Sequence, residues 1–128
     1  MIIDVAVQSE PIVLNGQPAE GSGAVVRFEG RVRPNENGKQ IAALVYEAYM
    51  PMAQEQMEKI LTELAQKWPC QLARVRHRTG VVPVGEAAII IEVHSRHRTE
   101  AFALATAFMD RLKQDVPIWK IDGVPQSS

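Results

Sequence analysis

Basic side chains gather in one stretch of this sequence, from His94 to Lys120. His94, Arg96, His97 and Arg98 open it, and Lys113 and Lys120 close it on either side of Pro117. Arginine presents a planar fork of donors that matches a carboxylate or phosphate. Histidine and lysine can pass a proton to or from a reacting group. A lysine taken out of water can also serve as acid, base or nucleophile. These residue types suit the binding of an anion and proton transfer around it. The two ends of the stretch converge on one ligand only if the strand after Pro117 folds back beside the intervening helix. That is the expectation.

The elements that must position these residues follow from periodicity. Alternation of apolar and polar residues predicts strands over 2–7, 24–33, 41–49, 72–79 and 88–94, with a short last strand over 118–121. Ala24, Val26, Phe28 and Val32 share one parity of the second strand, and Gly30 within it signals a bulge or a close backbone approach. The run Ala88 to Val93 is the most apolar and is expected at the centre of a sheet. Spacings of three and four predict helices near 51–67 and 98–114, the first closed by Pro69. The second helix is read with Phe102, Ala105, Met109 and Leu112 toward the core and Lys113 on or beside that stripe. Asn15 to Gly23 reads as a loop and Pro34 to Lys39 as an exposed turn, Val81 to Glu86 contains a turn at Pro83 and Gly85, and residues 123–128 are expected to fray. Two helices cannot cover both faces of a large sheet, so an α+β domain with a mostly antiparallel sheet and two main helices is predicted.

Composition sets limits. A chain of 128 residues suits a single domain, and its net charge of −1 disfavours general nucleic-acid binding. The charge is unevenly spread: residues 1–64 hold nine acidic and five basic side chains, residues 65–128 six acidic and nine basic. The second half is thus locally positive, which favours a small anion over a long polyanion. Cys70 is the only cysteine, so no disulfide framework or zinc ligand set exists, and it reads as an inert thiol. No basic-then-apolar leader opens the sequence and no apolar run approaches the length of a membrane span, so a cytoplasmic location is expected.

Each candidate has a plain alternative. His97 and Arg98 stand where a strand becomes a helix, and the free N–H groups there favour an oxyanion. They are otherwise two exposed cations at the wrong end of a helix. Lys113 near a helix C-terminus is ordinary. Arg74, Arg76 and Arg78 read as the wet face of a strand, with anion binding the lesser reading. Lys120, after an aromatic in a short strand, is the most suggestive, yet no residue pattern here names a reaction.

Six short motifs occur in order: Phe28-x-Gly30-x-Val32-Arg33, Tyr46-Glu47-Ala48-Tyr49, Val75-x-His77-Arg78-x-Gly80, Ser95-x-His97-Arg98-x-x-Ala101-Phe102, Met109-Asp110-x-Leu112-Lys113 and Pro117-Ile118-Trp119-Lys120. Together, over roughly residues 20–122, the series resembles the large, catalytic subunit of molybdopterin synthase. The resemblance implies an α/β hammerhead fold and a homodimer with one small ubiquitin-like subunit on each protomer, a heterotetramer in all. That partner carries a C-terminal Gly-Gly thiocarboxylate. The implied reaction transfers two sulfurs to cyclic pyranopterin monophosphate (precursor Z), forming the dithiolene of molybdopterin, with no metal or redox cofactor.

The resemblance also implies the site. Arg31, Val32, Arg33, His97 and Arg98 would bind the pterin or its phosphate. Lys113 and Lys120 would be catalytic, with Ile121 and Asp122 beside the latter and Phe28 and Met109 as further lining. In the family the pocket lies near the dimer interface, so both protomers can contribute. This sequence has Ile121-Asp122 where the family usually has a basic residue followed by Glu. A non-catalytic homologue that binds the partner's tail or a pterin or nucleotide anion is the alternative. A small RNA-binding domain is disfavoured by the charge and by the lack of an aromatic-rich strand pair.

Overall fold

The computed structural model describes residues 1–126. Its elements run β1 (Ile2–Gln8), β2 (Ala24–Arg31), β3 (Asn35–Glu36), β4 (Lys39–Ala48), α1 (Met52–Lys67), β5 (Leu72–Arg78), β6 (Gly80–Pro83), β7 (Ala87–Ser95), α2 (Arg98–Asp115) and β8 (Ile118–Pro125). The α+β class stands, with two main helices. β1, β5, β7 and β2 form one sheet in that order, and only the β1–β5 pair in it is parallel. The smaller second sheet is built on β4, which pairs antiparallel with β3, β6 and β8.

The apolar β7 lies inside the first sheet, and Ile89, Ile91 and Val93 face the helices. Ala53, Met57, Ile60 and Leu61 of α1 and Leu104, Phe108 and Leu112 of α2 close this core. A separate cluster of Val32, Ile41, Leu44, Val82 and Ala88 holds the second sheet. The chain passes between the sheets at Gly80, whose φ of +76° suits glycine. Gly30 marks the bulge expected of it, and what approaches it closely is a side chain rather than a backbone. The register with β7 shifts between Gly30 and Arg31, and a Cβ on Gly30 would lie 2.8 Å from Cγ2 of Ile89.

Several expectations need correction. The core face of α2 is Ala101, Leu104, Ala105, Phe108 and Leu112, while Phe102 is 57% exposed and Met109 only half-buried. The exposed turn expected over 34–39 is present at Asn37 and Gly38, at φ 52° and 80°, but it closes a hairpin between β4 and a two-residue strand, β3. Gly80–Pro83 forms strand β6 where the sequence predicts only a turn at Pro83 and Gly85. The tail expected to fray from Gly123 instead continues β8: Gly123, Val124 and Pro125 face Leu44, Ala43 and Ile41 of β4. Ser127 and Ser128 lie outside the described residues. The β5 arginines are not a wet face. Arg74 and Arg76 both reach Asp4, at 3.0 and 2.9 Å, and buried Arg78 pairs with Glu86 at 2.7 Å.

Candidate functional site

The end of β7 delivers His97 and Arg98 to the start of α2. His97 is the N-cap residue in extended conformation, with no side-chain cap bond, and its carbonyl accepts from the Ser95 hydroxyl. Both basic side chains are exposed. Two cations beside the positive end of a helix dipole are unfavourable unless an anion joins them. Beside them a cleft of about 320 Å³ is lined by Cys70, Gln71, Arg96, His97 and Glu100. The Cys70 thiol is pushed up to about 11, first by burial and then by the Glu100 charge, and it contacts the Trp68 carbonyl at 3.3 Å. Its thiolate fraction at pH 8 is therefore small. Alkylation by iodoacetamide should run roughly a hundredfold slower than for an ordinary free cysteine. A rate matching that of a free thiol would contradict this.

β2 and α2 both run away from that end. Ala24 faces Ser95 and Arg31 faces Ala87, and α2 begins three residues past Ser95. Between them lies an apolar groove of about 340 Å³ lined by Val26, Phe28, Phe102, Ala105 and Met109. Phe28 and Met109 therefore do meet. Lys113, one turn past Met109, is exposed in the last turn of α2, at the Arg31 end of β2.

Arg31 is held by Glu29 at 2.6 Å and donates to the Gly85 carbonyl. Val32 is buried and anchored by Gly85 and Glu86 through its backbone, which aims the next residue, Arg33, outward into solvent. β8 places Lys120 opposite Tyr46 and Asp122 opposite Val45, so Ile121 is the extra residue of a bulge, 51% exposed. The Asp122 carboxylate accepts from the Gly123 N–H at 2.9 Å. Lys120 Nζ lies 3.3 Å from Glu36, a residue the sequence reading did not single out. Tyr46, across from Lys120, packs edge-on against buried His77 at 5.5 Å between ring centres.

Within one copy these residues fall into two groups. Arg98 and Lys113 are about 22 Å apart along α2 at ~1.5 Å per residue. The Arg31 and His97 ends of β2 and β7 are about 23 Å apart at ~3.3 Å per residue. Along these elements Arg31 and Lys113 lie toward one end and His97 and Arg98 hold the other, with the Arg31 side chain paired to Glu29 rather than turned toward either lysine. The expected convergence through a strand folding back along α2 does not occur, because β8 joins β4 in the second sheet. The Lys120 side chain is about half exposed, at 51%.

The domain has two sheets, two main helices and exposed basic side chains at both ends of α2, and comparison gives the family. The MoaE protein family profile matches residues 4–115. The chain belongs to the MoaE family. It is 45% identical over 106 residues to the human "Molybdopterin synthase catalytic subunit", covering 83% of this chain and 56% of that one. It is 40% identical over 119 residues to the Bacillus subtilis protein of the same name, covering 93% and 75%. A solved molybdopterin synthase structure from Staphylococcus aureus superposes with a TM-score of 0.83 at 34% identity, covering 95% of this chain and 91% of that chain. The chain spans about half the length of the first mammalian relatives it matches, 56% for the human and bovine proteins and 49% for the rat one.

Proposed function

We propose that this chain is the catalytic subunit of a molybdopterin synthase. It would transfer sulfur from the C-terminal thiocarboxylate of a small ubiquitin-like partner to precursor Z, forming the dithiolene of molybdopterin. The observation that carries the reading is the MoaE-family match, together with exposed Lys113 in the last turn of α2 and exposed Lys120 on the strand that follows it. The relatives' name, a catalytic subunit, supports a second, separate subunit.

The separation of the two basic groups supports a homodimer whose partner copy turns its His97 and Arg98 toward the first copy's lysines. Arg33 and the partner copy's helix start would hold the substrate phosphate. Arg31, Val32, Ile121 and Asp122 would border the pterin, and Phe28 and Met109 would form an apolar wall leading to it. The Lys113 and Lys120 ammonium groups would receive the thiocarboxylate. Its sulfur would attack a substrate carbon as the C–O bond there breaks, giving a thioester to the partner's C-terminus. The oxygen would leave as an opened arm of the cyclic phosphate or, protonated by a lysine, as water. Water then cleaves the acyl–sulfur bond, releasing the partner as a carboxylate and leaving sulfur on the pterin. A second donor repeats the step. Lysines suit this chemistry because each can stabilise developing negative charge and exchange a proton.

The test is titration calorimetry with precursor Z. Arg33→Ala, His97→Ala and Arg98→Ala should each weaken binding by about 1.5–3 kcal/mol, the scale of a charge-assisted hydrogen bond. Affinity unchanged in all three variants would place the phosphate elsewhere.

A further inference from the structure

Lys120 is already engaged by a carboxylate. Both Glu36 oxygens straddle its Nζ, at 3.3 and 3.4 Å. Glu36 sits on the β3 hairpin, which is held by two strand pairings and one bond from the Ile41 N–H to the Pro34 carbonyl. From Arg33 to Gln40 every residue is exposed except Glu36, the one side chain tucked inward. Its charge also reaches Tyr46: burial, and after it Glu36, raises that phenol above its ordinary range. The near-equal contact of two oxygens with one ammonium is the geometry that a C-terminal carboxylate or thiocarboxylate would adopt there.

We propose that Glu36 is a resident stand-in for the donor's C-terminal anion, occupying Lys120 until that tail arrives and displaces it. This rests on the reading of Lys120 as the tail's receptor. The hairpin carries little else and the ion pair is partly open to water, so displacement costs little. Until then the pair neutralises Lys120 and makes weaker anions poor competitors. Glu36 thus acts through Lys120, raising the affinity that any tail needs in order to occupy it.

The test compares wild type, Glu36→Gln, Lys120→Ala and the double variant. The probes are a synthetic peptide ending in Gly-Gly with a free carboxylate, read by calorimetry, and the thiocarboxylated small subunit, read by turnover. Glu36→Gln should bind the peptide about threefold to fivefold more tightly, the scale of one exposed ion pair. It should lower KM for the donor by a similar factor with kcat little changed. In the Lys120→Ala background the Glu36 substitution should have no effect. Melting curves show that each variant is folded. If Glu36→Gln leaves affinity and KM unchanged or weakens them while Lys120→Ala still impairs binding, the stand-in role is overturned and the receptor reading survives. If Lys120→Ala binds and turns over like wild type, both fail together.

Discussion

Alanine at Lys120, and separately at Lys113, is expected to lower single-turnover conversion of precursor Z at least about a hundredfold, the usual scale of a lost acid–base or charge-stabilising group. The fold should hardly notice. Both side chains are exposed, and among the described residues the only ion pair either makes is that of Lys120 with Glu36. Thermal melts should therefore show changes of about 0.5 kcal/mol or less. Arginine at either position should not restore the rate, since a guanidinium keeps the charge but does not release its proton in the working range. Near-wild-type turnover in both arginine variants would leave charge as the whole contribution. Normal turnover in both alanine variants would remove the lysines from the site.

The second large effect follows from the roughly 22 Å between the ends of α2. If each site combines the lysines of one copy with His97 and Arg98 of the other, two inactive variants should repair one another. Lys120→Ala and the double variant His97→Ala/Arg98→Ala should each be nearly inactive. Co-expressed, they form mixed dimers in which one site carries both defects and the other carries neither. Random pairing makes about half the dimers mixed, so activity should recover to about a quarter of wild type. No recovery from a preparation that light scattering shows to be dimeric would mean that each site lies within one copy.

The sequence was most legible where the physics is local. Alternation marked β2 and β5, and a continuous apolar run marked β7, which is buried on both faces from Ala88 to Ser95. The 3.6-residue period and Pro69 marked α1. The face of α2 was harder, since nearly every position from Ala101 to Met109 is apolar or small and adjacent stripes compete. The core took Leu104 and Phe108, leaving Phe102 to the groove beside Phe28. β3 and β6 are too short for a period to show, although Asn37-Gly38 is a hairpin signal by itself. For the site, residue types pointed to an anion, but chain order says nothing of which sheet β8 joins. The arginines of β5 looked free because their partners, Asp4 and Glu86, come from elsewhere in the chain. Glu36 carried no signal until the hairpin placed it against Lys120.

The central claim is that this chain turns over precursor Z with sulfur supplied by another protein. The most direct measurement mixes the purified chain with precursor Z and a thiocarboxylated small subunit, and follows molybdopterin formation. The account predicts molybdopterin at two donor chains consumed per product, and none when the donor ends in an ordinary carboxylate. Tight binding of both reactants without any molybdopterin would contradict it and make the chain a binding protein rather than an enzyme.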